Sequence, residues 1–387
     1  MIPLKNIRRI IAKASQQPGY ALHAARMRIL SALSYRFRDG KSALPETISL
    51  LLTYRCNLHC QMCGQWGERG SLKSLLSVIT RRYLELPLIE RLIKEVKTFH
   101  PTITLFGGEP LLHPQWEEVV KLIKGAGLRC NMISNGILLK KRAEEAVRLG
   151  LDEIIFSLDG PAEVHDRIRG GKGAFRRALE GFRQLEKIKK KYGRKKPVVN
   201  VNTVIWEENQ AILQEIVEQA ACFGAQTITF HHLIFADQKA FDETEKISQV
   251  ALAFGSPDWA GFILDELPRI DPERIIAQKR LIEQAKTAVP AFFYPNLTDE
   301  EIRSYYSSFN FLPSSYKQRC LSPWMVAYVL PDGRVKPCLS LGYAMGDLHE
   351  ASFKEIWNGE RAVQFRRLLK QRGYFPVCPR CTEFSRF

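Results

Sequence analysis

The chain has 387 residues, 45% hydrophobic and 25% charged, values ordinary for a globular protein. No apolar run approaches the roughly 18 residues of a membrane span, and the start lacks the apolar stretch and cleavage site of a secretory signal. The expected setting is therefore cytoplasmic, where nine cysteines point to metal binding rather than disulfides; the formal net charge of +16 is the unusual quantity.

Half of that charge lies in residues 1–45. Lys5, Arg8, Arg9, Lys13, Arg26, Arg28, Arg36, Arg38 and Lys41 stand against Asp39 alone, a balance of +8. Ile7, Ile10 and Ile11, then Leu22, Ala25, Ile29, Leu33 and Phe37, recur there at helical spacing. A basic amphipathic helix reads as a membrane-surface or partner-binding element. The simpler expectation is a helix packed on the body of the protein with a solvated basic rim. Peripheral membrane contact is the alternative that the arm carries.

From residue 46 to 232, strand-like and helix-like segments alternate. Short apolar runs occur at 48–53, 103–106, 128–133, 153–158, 198–204 and 227–230. Amphipathic stretches separate most of them; Phe175, Ala178, Leu179, Phe182, Leu185 and Ile188 form the clearest i, i+3/i+4 stripe. This alternation predicts an α/β protein with six βα units and a parallel sheet. The basic run from Lys187 to Lys196 is expected in a solvated loop between a helix and a strand.

Polar residues gather at the C-terminal ends of the strands, where parallel barrels place function. After the first comes Cys56, Cys60 and Cys63, a Cys-x3-Cys-x2-Cys triplet. Such a triplet is expected by chance roughly 0.005 times in a chain of this composition. Cubane clusters are usually held by four cysteines, so three leave one iron open. The spacing is unlike the paired cysteines of zinc sites. After the second strand comes Gly107-Gly108-Glu109-Pro110. Two residues without Cβ allow close backbone approach, and Glu109 offers an anionic acceptor for an ammonium. The third strand ends in Ser134-Asn135-Gly136 and the fourth in Ser157-Leu158-Asp159-Gly160. Asn135-Gly136 and Asp159-Gly160 read equally well as simple turns. The fifth strand carries Asn200, Asn202 and Thr203, and the sixth runs into His231 and His232. Adjacent strand residues face opposite sides, so at most one of the two histidines is expected inward, as an acid or base toward substrate. Cys130 and Cys222 are expected to be buried small hydrophobes.

The triplet together with Gly107-Gly108-Glu109-Pro110 resembles the signature of the radical S-adenosylmethionine (SAM) enzymes. The resemblance implies a partial (β/α)6 TIM-like barrel, which agrees with the count of six units. It implies a SAM-binding [4Fe-4S] cluster on Cys56, Cys60 and Cys63, with SAM chelated at the open iron. Gly107, Gly108, Glu109 and Pro110 match the segment that binds the methionine amino group. Ser134, Ser157 and Arg169 match positions that contact ribose or carboxylate. Met62 stands where many members carry an aromatic beside the adenine, and a thioether can pack on a purine. An external electron donor such as flavodoxin or ferredoxin is also implied.

Residues 233–319 read as a helical connector, with Thr298 ahead of Asp299, Glu300 and Glu301 as a helix start. Residues 320–387 hold Cys320, Cys338, Cys378 and Cys381. Pro331-Asp332-Gly333 between two strand-like runs is a hairpin signal, and a helix is expected over 352–369. This small hairpin-plus-helix domain resembles the SPASM or twitch extensions of radical SAM enzymes. It has too few cysteines for two auxiliary clusters, so one auxiliary [4Fe-4S] cluster is expected, with four-cysteine zinc as the competing reading. A fully ligated cluster suits electron transfer.

The expected function is hydrogen abstraction from a substrate by a SAM-derived 5′-deoxyadenosyl radical. The substrate is left open between a peptide, a small molecule and a lipid head group. A SPASM-type peptide maturase and an RNA-modifying radical SAM enzyme are alternatives within the class. A non-catalytic metal- and nucleic-acid-binding protein is the alternative outside it, with steep salt dependence as its mark.

Overall fold

The computed structural model describes Ile11 and residues 18–386. Lys5, Arg8, Arg9, Lys13, Ile7 and Ile10 lie outside the described residues.

The six expected strands form as β1 (Thr47–Leu51), β2 (Thr102–Phe106), β3 (Arg129–Ser134), β4 (Glu153–Ser157), β5 (Val198–Val204) and β6 (Thr227–His231). They lie parallel and in chain order, β1 to β6. Alternation along each strand sets the two faces. Ile48, Leu50, Ile103, Leu105, Ile154 and Phe156 point outward and are fully buried in the apolar core. Thr47, Ser49, Thr102, Thr104, Asn131 and Glu153 point into the lumen. The barrel is thus apolar under its helices, while its lumen carries these polar residues together with Leu51, Phe106, Ile133 and Ile155.

The sheet does not stop at six strands. The segment expected to be a helical connector contributes β7 (Ala291–Tyr294), parallel to β6. The tail contributes β8 (Val326–Val329), parallel to β1 on the other side. β9 (Arg334–Lys336) and β10 (Gly346–Asp347) continue the sheet antiparallel. One ten-stranded sheet therefore runs through core, connector and tail. The Pro331-Asp332-Gly333 hairpin forms as expected, with Gly333 at φ +86°. Thr298 caps its helix through a reciprocal box with Glu301.

The tail helix predicted as one piece is two, Phe353–Trp357 and Glu360–Arg372. The break falls at Asn358-Gly359. Asn358 is taken up in bonds to residue 42: its Oδ1 accepts the Ser42 N–H at 2.8 Å and its Nδ2 donates to the Ser42 carbonyl at 2.9 Å. The basic run is likewise divided: Lys187–Lys191 closes the helix Ala174–Lys191, and Lys196 pairs with Asp152 at 2.5 Å.

The N-terminal arm forms helix α1 (Pro18–Phe37), packed across the end of the barrel opposite the cysteine triplet's rim. The expected apolar face is not the one that packs. Ala24, Met27, Ser31 and Ser34 are buried, whereas Leu22, Ile29, Leu33 and Phe37 are exposed. Small side chains let the helix sit close, and Arg28 reaches inward to Glu46 with bonds of 2.7 and 2.9 Å. Among the described residues no helix is long and apolar enough to cross a membrane.

Candidate functional site

The loop after β1 carries the triplet and is pinned on two sides. Gly108 N–H donates to the Thr53 carbonyl and Glu109 N–H to the Arg55 carbonyl, both at 2.8 Å. A Cβ on Gly108 would stand 2.1 Å from the Arg55 oxygen. The glycines therefore serve the close approach of the β2 turn to the cysteine loop, and both also line the cavity beside the triplet. On the other side Gln61 N–H donates to the Ile168 carbonyl at 2.9 Å. Gly64 packs against the Phe262 ring, with no room for a Cβ.

Cys56, Cys60 and Cys63 line a cavity of about 380 Å³ with Met62, Gly107, Gly108 and Ser157. Each sulfur has a donor: Asn135 Nδ2 lies 4.0 Å from Cys56, Arg169 Nη1 3.7 Å from Cys60, and Trp66 N–H 3.4 Å from Cys63. Burial pushes the Cys56 thiol up to about 12, and Glu109, Cys60 and Cys63 add to it. Bare thiolates are therefore disfavoured here, and a bound cation among the three sulfurs would offset that cost.

Glu109 and Pro110 stand behind the cavity wall rather than in it. The Glu109 carboxylate, expected to face an ammonium, accepts from Ser134 Oγ and Asn135 N–H at 2.9 Å each and from Leu111 N–H at 3.2 Å. Burial raises its pKa to about 7 against these three bonds. Arg169 is also held within the protein, its Nε 2.5 Å from the fully buried Asp159. Asn135 and Asp159, readable as mere turn residues, thus hold the site together. A polar residue ending a barrel strand was the only signal that could have found them.

The second set lies in a larger cavity of about 600 Å³, which takes in the lumen and is floored by α1 through Tyr20, Ala24 and Arg28. Cys320, Cys338, Cys378 and Cys381 all line it. Burial raises all four thiols, Cys378 to about 12, and for Cys320 the other three sulfurs add to the shift. Four half-buried cysteines whose thiolates would repel one another suit a cation-bearing site. Among the described residues no three His, Cys, Asp or Glu side chains close to the spacing of a single metal ion.

The two cavities share walls at Phe106, Ile133, Asn202, His231, Phe262 and Thr382. His231 is half-buried on that shared wall, its ring 5.5 Å from Tyr294, whose hydroxyl donates to the Thr382 carbonyl at 2.7 Å. His232 is buried, with Nδ1 2.9 Å from the Tyr306 hydroxyl. Burial drives its pKa down to about 3. Cys130 is buried as expected; Cys222 is exposed, because it ends its helix.

Residues 50–220 match the Radical SAM superfamily and residues 320–382 match SPASM, an iron–sulfur cluster-binding domain. The chain is 27% identical over 336 residues to an AdoMet-dependent heme synthase of Methanosarcina barkeri, covering 84% of each. It is 25% identical to the sporulation killing factor maturation protein SkfB of Bacillus subtilis, over 84% of this chain and 68% of that one. Streptococcus suis SuiB bound to S-adenosylmethionine shares the fold at a TM-score of 0.60 and 12% identity, covering 88% of this chain and 71% of that chain. The cofactors of this enzyme are SAM, a [4Fe-4S] cluster and auxiliary iron–sulfur binding in the tail. The chain belongs to the radical SAM superfamily and carries a SPASM iron–sulfur domain.

Proposed function

We propose that Cys56, Cys60 and Cys63 hold the SAM-binding cluster, that Cys320, Cys338, Cys378 and Cys381 hold one auxiliary cluster, and that a peptide substrate lies between them. The reading assigns 46–232 to the SAM core, 233–319 to the connector and 320–387 to the auxiliary part. It rests on the wall shared by the two thiol-lined cavities, where His231 and Asn202 face both. Bound SAM supplies, on one-electron reduction by a flavodoxin- or ferredoxin-type donor, an adenosyl carbon radical able to take hydrogen from an unactivated C–H bond.

The protein's part is orientation. Met62 would face the adenine, Ser134 and Ser157 the ribose, and Gly107 and Gly108 the methionine end of bound SAM, since all five line the cavity. Arg169 and Asn135, which point at the Cys60 and Cys56 sulfurs, would tune the potential of a cluster held there. His231 takes a proton from the substrate on its imidazole. A peptide is favoured by a relative named as a PqqA peptide cyclase, 26% identical over 76% of this chain, beside SkfB, named as a maturation protein. An iron porphyrin is the second reading, favoured by the heme synthases that match along most of their length.

Mössbauer spectroscopy of the anaerobically reconstituted chain tests the assignment. It should show two [4Fe-4S] clusters, of which one alone changes when SAM is added. One cluster, or two that both ignore SAM, would overturn it. Stimulation of SAM cleavage by iron coproporphyrin and not by candidate peptides would select the second reading.

A further inference from the structure

Helix α1 presents a ridge of large apolar side chains to solvent. Leu22 is 76% exposed, Ile29 61%, Leu33 49% and Phe37 70%, with Leu30 beside them at 39%. Steps of seven, four and four residues place the first four within a sector of about 80°, along about 22 Å of helix. The helix cannot turn this ridge inward. Its opposite face is committed to the barrel through Ala24, Met27 and Ser31 and through the Arg28–Glu46 pair.

The ridge is basic as well as apolar. Arg26 projects from the same sector and Arg36 from its edge, and Arg38 and Lys41 come just after the helix, all exposed. Arg319 and Lys370 lie over the Tyr35 ring on the other, barrel-facing side of the helix, at 5.0 and 5.5 Å, and take no part in the ridge. A second copy across a two-fold axis would add its own Arg26 and Arg36 to the contact, and the helix Pro18–Phe37 has no acidic side chain to meet them. An anionic surface matches both features: apolar side chains enter the acyl boundary and arginines meet the head groups.

We propose that α1 seats the protein on the surface of an anionic lipid bilayer through Leu22, Ile29, Leu33 and Phe37, flanked by Arg26 and Arg36. The same helix floors the larger cavity with Tyr20, Ala24 and Arg28. Docking therefore brings the enzyme's lumen to within one helix diameter, about 10 Å, of the bilayer. The proposal stands apart from the assignment of cluster ligands.

The test is cosedimentation of the reconstituted full chain with vesicles of phosphatidylcholine alone or mixed with phosphatidylglycerol. Binding should require phosphatidylglycerol and weaken several-fold at high salt. The variant Leu22→Ser/Ile29→Ser/Leu33→Ser/Phe37→Ser should bind at least tenfold more weakly, with circular dichroism and iron content unchanged. The variant Arg26→Gln/Arg36→Gln should lose about tenfold. A wild-type chain that stays in the supernatant, or a four-serine variant that binds as well as wild type, contradicts the proposal. So does a dimer in sedimentation velocity that the four-serine variant abolishes, which would assign the ridge to a second copy.

Discussion

Arg169 aims its Nη1 at the Cys60 sulfur from 3.7 Å. Its Nε meanwhile lies 2.5 Å from Asp159, which has no exposure to solvent. Burial opposes the guanidinium charge, but Asp159 and Cys60 outweigh it and raise its pKa. Removing the cation strands a buried carboxylate, which typically costs about 3–5 kcal/mol. Arg169→Gln should therefore lower apo-chain stability by that order in urea unfolding. Asp159→Asn/Arg169→Gln should recover part of the loss. Equal destabilisation by the double and single variants contradicts this coupling.

The two histidine candidates at the end of β6 separate by burial. His231 faces both cavities, so His231→Ala should leave SAM cleavage in place and lower product formation by on the order of a hundredfold. His232 is buried against Tyr306, so His232→Ala should act on the fold, costing about 1–3 kcal/mol through the unpaired hydroxyl and the lost ring. Comparing 5′-deoxyadenosine with product, beside a urea curve for each variant, reads the difference. A His232 variant of wild-type stability would contradict it.

Acid should weaken the fold below about pH 6.5, where the buried histidines begin to bind protons in the unfolded chain. Burial lowers His165 and His232 from 6.5 to about 3. Their folded pKa values lie below the unfolded ones, so their contribution is full above pH 6.5 and is lost as pH falls toward 3. Glu109 acts with the opposite sign: raised from 4.5 to about 7, it favours the fold at low pH and loses that contribution as pH rises through 7. Two histidines against one carboxylate leave a net loss on acidification, shallower between 4.5 and 6.5. Urea midpoints of the apo chain should show it, and His232→Phe should flatten the slope.

Cys378 tests the tail. Cys378→Ala should keep the SAM-responsive cluster and SAM cleavage while product is lost, and iron should fall from about eight to about four per chain. Wild-type product formation by this variant contradicts a role for the tail in the reaction.

Much of this was legible because the signals were local. The Cys56–Cys63 spacing, the strand–helix alternation and the Asp332-Gly333 hairpin each lie within a few residues. The hidden features depended on partners far away in the chain. The rotation of α1 could not be read from Leu22, Ile29 and Leu33, because the docking face is chosen by close approach of Ala24 and Ser31 to the barrel. The helix break at Asn358 comes from its bonds to Ser42. Asn135 and Asp159 looked like turn formers because their work is done on other elements, on Cys56 in the loop after β1 and on Arg169 at the end of the helix Ala162–Arg169. The continuous sheet was missed because β7 is only four residues, too short for a period-2 pattern to declare itself, and because the strand-like run at β8 pairs with β1, far away in the chain.

The central claim is that Cys56, Cys60 and Cys63 leave one iron open to SAM. The most direct measurement is 5′-deoxyadenosine formation by the anaerobically reconstituted, dithionite-reduced chain supplied with SAM. Wild type should form it, and Cys60→Ala, with the tail cluster still in place, should form none. Formation of 5′-deoxyadenosine by Cys60→Ala at the wild-type rate, or none by the iron-loaded wild type, would contradict the account.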